Sequence, residues 1–107
     1  MNLREFEVAM HRPPQMSEEE RALAIQAMVA SNGNEKQHVI VMEELAELAQ
    51  QISKQLRGKG NQLALLEEMA DVAICLKMLC YMDNVSKQEL NNAIAVKLKR
   101  GINNLGN

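Results

Sequence analysis

Apolar residues recur three and four positions apart along most of the chain, which is the spacing of amphipathic helices. Four main helices are predicted, each ending at glycine or polar residues, over about 17–32, 35–56, 62–82 and 86–101. Ser17 and Glu20 have the spacing of a capping box and predict the start of the first helix. Ser86 and Glu89 give the same signal for the fourth. The short basic loop RGKG, at 57–60, separates the second helix from the third.

The segment before the first main helix, residues 1–16, is predicted to pack loosely. It has room for a short helix around Leu3 to Met10, which Pro13 and Pro14 would stop because proline is poorly tolerated inside helices. A chain of 107 residues has the length of one domain. We therefore expect residues 1–107 to form a single domain, an all-α bundle of four main helices.

Composition supports the helical prediction and narrows the function. The hydrophobic content of 47% includes one Phe, one Tyr and no Trp, which favours helices over aromatic-rich strands. A net charge of −2 with scattered basic residues argues against binding to nucleic acid polymers. No apolar run is long enough for export or membrane insertion. Cys75 and Cys80 lack the spacing of a zinc or redox site, so we expect free thiols in a reducing cytoplasm.

The second and third predicted helices contain two nearly identical sequences, EELAELA at 43–49 and EEMADVA at 67–73. At about 100° per residue, a helical wheel centres the buried stripe of the second helix on Leu45 and that of the third on Met69. The acidic residues then flank these stripes on matching sides. Because a short loop makes the two helices antiparallel, the two sets of acids are expected at the same height, about 18 Å from the loop.

Four carboxylates therefore converge in the predicted hairpin: Glu44, Glu47, Glu68 and Asp71. No basic residue occupies a matching place on the acidic face of the second helix. Unpaired charges are costly to bury, so divalent cations are the natural counter-charge, and oxygen ligands suit Mg²⁺ or Mn²⁺. The other interpretation is that both motifs lie on solvated helix faces, as most acidic runs do.

The third helix is apolar nearly all round, with only Asp71 and Lys77 charged between 69 and 82. Such a helix is buried on several sides, either by the rest of the chain or by a second subunit. Glu35 and His38 form a Glu-x-x-His pair of the kind found in di-iron bundles, but those sites need two such pairs and the chain has one.

The acidic repeat resembles the EExxE…ExxD signature of the MazG-like all-α nucleoside triphosphate pyrophosphohydrolase superfamily. Glu43, Glu44 and Glu47 match EExxE, and Glu68 and Asp71 match ExxD, over a resemblance that spans about residues 35–100. The resemblance implies a homodimeric or homotetrameric MazG-like bundle. It also implies cleavage of a nucleoside triphosphate between the α and β phosphates, which gives the monophosphate and pyrophosphate.

Carried over from the resemblance, Glu44, Glu47, Glu68 and Asp71 would ligate Mg²⁺, and Glu43 would orient or deprotonate the attacking water. The same resemblance suggests that phosphate is bound by basic residues in the last helix and near the loop, namely Lys97, Arg100 and Lys54. The other interpretation of each is a solvated surface charge.

The nucleoside-binding residues are not assigned, because Phe6 and Tyr81 are the only aromatic side chains that could stack on a base. The rival to an enzyme is a non-catalytic nucleotide-binding or oligomerisation module of the same fold.

Overall fold

The computed structural model describes residues 2–106, and over this range the chain forms five helices and no strand. The helices are α1 Leu3–Met10, α2 Glu18–Asn32, α3 Asn34–Leu56, α4 Gln62–Met82 and α5 Lys87–Leu105. The all-α prediction is confirmed. Over the same residues, none of the helices combines the length and apolarity that crossing a membrane requires.

Local capping chemistry explains where the helices begin. Ser17 and Ser86 accept hydrogen bonds from the backbone N–H groups of Glu20 and Glu89, and both glutamates reach back to complete their capping boxes. Asn61 caps α4 by accepting from the N–H of Ala64 at 3.0 Å. The four main helix starts therefore fall within one or two residues of their predicted positions.

The short helix expected around Leu3 to Met10 is present as α1, and it makes a fifth helix beside the four main ones. One helix end differs from the sequence expectation. The last helix was expected to fade near Gly101, but α5 continues to Leu105. A mid-helix glycine costs only about 1 kcal/mol relative to alanine, and no proline follows it to stop the helix.

α3 and α4 form the antiparallel hairpin that the short loop predicts. The imidazole of His38, in the second turn of α3, lies 2.9 Å from the Asp83 carboxylate at the C-terminal end of α4. α2 packs across both helices, and its corner with α3 is held by Asn32, which donates to the buried side chain of Gln37 at 2.8 Å. Gly33 makes this corner with a φ of 85°, which glycine adopts without steric cost.

Among the buried and half-buried positions of the hairpin, one series in each helix alternates at spacings of four and three residues, as in a coiled-coil seam. In α3 they are Gln37, Val41, Glu44, Leu48 and Gln51, and in α4 they are Ala64, Glu68, Asp71, Cys75, Met78 and Met82. The acidic residues therefore lie in the seam between the helices and not on its flank.

The wheel prediction of the buried stripes was wrong at the centre of each stripe for this reason. Leu45 is 44% exposed and Met69 is 52% exposed, although each was placed at the centre of a buried face. A wheel locates the apolar side of a helix but does not say which neighbour covers it. In the single chain the acidic sides of α3 and α4 face each other, and much of the apolar side of each helix faces outward.

α5 is the least packed of the main helices. It has no buried residue, and its apolar side chains are exposed along its whole length: Leu90, Ile94, Val96, Leu98, Ile102 and Leu105. The radius of gyration is 16.4 Å, whereas a compact chain of this length has about 13 Å. The difference agrees with a helix that projects from the body of the chain.

Candidate metal centre

Three carboxylates meet in the seam of the hairpin, Glu44 from α3 with Glu68 and Asp71 from α4. One oxygen from each lies within 4.8 Å of the others. Glu68 and Asp71 are three residues apart and so share one face of α4. Glu44 reaches them from the opposite helix because the pairing is antiparallel. The structure thus brings together three of the four residues that were predicted to ligate a metal.

Two oxygens of this cluster have no ordinary structural partner. Oε2 of Glu44 and Oε2 of Glu68 are shielded from solvent and accept no hydrogen bond from any residue between 2 and 106. A buried polar atom without a partner costs roughly 1–3 kcal/mol, and more if it is charged. Holding these two oxygens in place therefore lowers the stability of the fold, which is a feature of functional sites.

Proximity of like charges shifts the pKa values of the cluster. Burial, the close approach of the Glu44 carboxylate and the charges of Glu44 and Glu47 together raise the pKa of Glu68 from its usual 4.5 to about 7. Burial and the charges of Asp71 and Glu47 raise the pKa of Glu44, although the nearby Glu68 carboxyl group opposes the rise. Burial also raises the pKa of Asp71. Near neutral pH the cluster therefore needs a proton or a cation to remain assembled.

No protein cation supplies that compensation within the described chain. Every charged group that shifts the pKa of Glu44, Glu68 or Asp71 is another carboxylate. The two ion pairs of residues 2–106 both lie elsewhere, between His38 and Asp83 and between Lys87 and Glu18. A divalent cation is thus the counter-charge that best suits the donor set.

The geometry also suits a small hard cation. Mg²⁺ takes oxygen ligands at about 2.1 Å. One oxygen from each of the three carboxylates lies within 4.8 Å of the others, so side-chain movement alone would bring them onto one cation. Three carboxylates leave further positions of an octahedron for water or phosphate oxygen, which is the usual arrangement of magnesium at a phosphate-transfer site.

The two remaining acids of the first motif lie outside the cluster. Glu47 is exposed, but its charge raises the pKa values of Glu44, Glu68 and Asp71, so it stands within electrostatic reach at the edge of the site. Glu43 is exposed and is not among the clustered ligands. It neighbours Glu44 in sequence but is turned about 100° from it around α3.

The basic residues suggested for phosphate are all exposed. Lys97 and Arg100 are exposed on α5, well beyond the start of that helix. Lys54 is exposed two turns after Glu47, on the same side of α3 and toward the loop. None of the three is among the groups that shift the pKa of a clustered acid.

Two residues near the site were not predicted from the sequence. Cys75 is buried one turn after Asp71, and burial followed by the charges of Glu44 and Asp71 raises the pKa of its thiol. Its spacing of four residues from Asp71 was the available signal. Glu67 has an Oε2 atom that is shielded and without a hydrogen-bond partner among the described residues, and its place in the second acidic motif could have drawn attention to it.

The structure does not support a di-iron site at Glu35 and His38. Both ring nitrogens of His38 face other groups, the Asn34 carbonyl oxygen at 2.8 Å and the Asp83 carboxylate at 2.9 Å. These contacts tie the start of α3 to the end of α4, and His38 is not part of the acidic cluster.

Comparison of the sequence with family models and with curated proteins, and of the structure with solved structures, finds no match. The interpretation of the site therefore rests on its own residues and on their geometry.

Proposed function

We propose that the protein is a Mg²⁺-dependent nucleoside triphosphate pyrophosphohydrolase, which converts a nucleoside or deoxynucleoside triphosphate and water into the monophosphate and pyrophosphate. The observation that carries the proposal is the cluster of Glu44, Glu68 and Asp71, with two shielded oxygens that lack a hydrogen-bond partner. The EExxE…ExxD spacing supplies the reaction class, since it resembles the signature of the MazG-like superfamily.

Glu44, Glu68 and Asp71 would hold Mg²⁺, or Mn²⁺ in its place. Glu47, at the edge of the site, would be the fourth carboxylate ligand. Bound there, the cation supplies charge neutralisation for the triphosphate and polarisation of the α-phosphoryl group. Glu43 is assigned to the attacking water, which it orients and from which it accepts a proton. The water oxygen forms a bond to the α-phosphorus as the bond to the bridging oxygen breaks, and pyrophosphate leaves.

The proposal includes a homodimer or homotetramer. Its support is the apolar surface that one chain leaves exposed, on α3 and α4 around Leu45 and Met69 and along α5. An oligomer would cover this surface, and in it Lys97 and Arg100 of a neighbouring subunit would contact the phosphates. Lys54 is the candidate from the chain itself. We place the protein in the cytoplasm, where its proposed substrates are found.

The second candidate is a non-catalytic nucleotide-binding or oligomerisation module. It is favoured by one observation, that no lysine or arginine of the described chain acts on the clustered acids. In that case the site would take a cation and a nucleotide but would lack the positive groups that stabilise charge on the phosphates during reaction.

Pyrophosphate release from a panel of nucleoside and deoxynucleoside triphosphates, with Mg²⁺ or Mn²⁺, tests the proposal. We expect turnover of at least one substrate and its loss in Glu44→Gln and Asp71→Asn. The control is Glu7→Gln, which makes the same chemical change as Glu44→Gln on an exposed face of α1. If no substrate turns over while Mg²⁺ still raises the melting temperature, the module is the better conclusion. If Mg²⁺ has no effect on melting, the hydrolase and the nucleotide-binding module both fail, and only an oligomerisation module is left.

A further inference from the structure

A second concave surface lies where the N-terminal half of α2 meets the end of α4 and the start of α5. This groove has a volume of about 630 Å³, and small-molecule sites typically have about 300–1,000 Å³. Its apolar wall includes Ile25 from α2, Tyr81 from α4 and Leu90 from α5. Tyr81 is 49% exposed, so its ring is available for contact with a ligand.

The groove is positively charged although the whole chain has a net charge of −2. Arg21, Lys77 and Lys87 line it against one acid, Glu18, which leaves a net charge of +2. Glu18 lies 3.5 Å from Lys87, and neither Arg21 nor Lys77 forms an ion pair with another residue in the range 2–106. Two cations therefore face an apolar cleft without a protein carboxylate to neutralise them.

The groove is separate from the acidic cluster. At about 100° per residue, Lys77 is turned about 120° from Asp71 around α4, and Cys80 is turned about 180°. Lys77 and Cys80 thus point away from Asp71 around α4. No residue is shared between the groove lining and the clustered acids.

We propose that this groove binds a small anionic molecule with an apolar body, such as an aryl or acyl carboxylate, sulfonate or phosphate. Arg21 and Lys77 contact its charged group, and Ile25, Tyr81 and Leu90 contact its apolar part. The pairing follows from the chemistry of the lining, because an anion meets two unpaired cations and an apolar body displaces water from the wall. The ligand class does not depend on the proposed hydrolase activity.

Two fluorescent probes separate the contribution of charge from that of apolar contact. They are 8-anilinonaphthalene-1-sulfonate, which is anionic, and N-phenyl-1-naphthylamine, which has the same ring system without the sulfonate. We expect the anionic probe to bind more tightly. Arg21→Gln and Lys77→Gln should each weaken it roughly fivefold to tenfold, as for the loss of one charge-assisted hydrogen bond. The neutral probe should change less than about twofold because its apolar contacts remain.

Arg4→Gln and Lys99→Gln are the matched controls, since they remove the same charges from exposed helix positions outside the groove. Helix content and melting temperature identify any variant that fails to fold. Because both probes can also adhere to the exposed apolar faces of α3 and α4, a reporter inside the groove is needed. Tyr81 is the only tyrosine, so ¹³C labelling of tyrosine gives one set of ring signals from the groove itself.

The proposal holds if the Tyr81 signals move on titration with the anionic probe, with the same Kd as fluorescence, and if only the groove variants weaken that Kd. It is overturned if groove and control variants weaken binding equally, or if the Tyr81 signals do not move. It is also overturned if those signals change with protein concentration in the absence of probe and Arg21→Gln alters the sedimentation coefficient. That result would make the groove an interface between copies of the chain.

Discussion

Replacing Glu68 by glutamine should stabilise the metal-free protein, although it removes a proposed metal ligand. The pKa of Glu68 is raised from 4.5 to about 7 by burial and by its acidic neighbours. Above pH 7 the ionised carboxylate therefore opposes folding. At 1.36 kcal/mol for each pKa unit the penalty is about 3 kcal/mol, and halving it for screening by solvent at this partly exposed site leaves about 1–2 kcal/mol.

The direction of the pH effect follows from linkage. Between pH 4.5 and 7 the folded protein holds a proton on Glu68 that the unfolded chain releases, so the free energy of unfolding falls as pH rises through this range. Glutamine is neutral throughout. In EDTA at pH 8 the Glu68→Gln variant should melt roughly 5–10 °C higher than the parent, and at pH 4.5 the two should nearly coincide.

The same variant should lose its response to metal. Mg²⁺ stabilises a folded protein in proportion to its binding, so millimolar Mg²⁺ at pH 8 should raise the melting temperature of the parent and leave that of Glu68→Gln almost unchanged. Glu7→Gln is the control for the loss of one negative charge. If Glu68→Gln is destabilised equally at pH 4.5 and pH 8 in EDTA, its carboxylate has a structural role and the reasoning from charge repulsion fails.

Three further predictions concern the scaffold. The pKa of His38 is raised, mainly by its hydrogen bonds to the Asn34 carbonyl and the Asp83 carboxylate, so its contribution to stability is present below pH 6.5 and is lost as pH rises through the higher folded value. His38→Gln should remove that part of the pH dependence in thermal melts, with His11→Gln unchanged. Met69→Glu should shift the sedimentation coefficient toward that of a monomer, because Met69 is 52% exposed on the apolar surface proposed to associate; an unchanged coefficient would exclude that surface. Ser86→Ala should lower the unfolding free energy by about 1 kcal/mol through loss of the cap of α5, as measured by urea denaturation.

Helix positions were predictable because their signals are local. Ser17 and Ser86 cap the helices they precede through contacts only three residues long. The acidic cluster was predictable for a related reason, since a short loop makes α3 and α4 antiparallel and brings Glu44 near Glu68 and Asp71.

Packing between helices was harder to predict, because the same wheel is compatible with different neighbours. Leu45 and Met69 are the apolar centres of their helices, yet both are largely exposed in the single chain. The position of α5 relative to α3 depends on the turn at Asn84, whose φ of 57° has no unique sequence signal. For that reason the sequence suggested Lys97 and Arg100 as phosphate ligands but could not show whether one chain brings them to the site.

The placement of acids in the seam links metal binding to the stability of the hairpin. A seam position in a helical pair ordinarily holds an apolar side chain, and Val41 and Met78 show that use in this protein. Glu44, Glu68 and Asp71 occupy positions of the same repeat, where they repel one another and leave oxygens without partners. A cation bound among them would replace repulsion across the seam with attraction to a shared centre. We therefore expect Mg²⁺ to protect amides of α3 and α4 near these three residues from hydrogen exchange, and to leave the exchange of α5 amides unchanged.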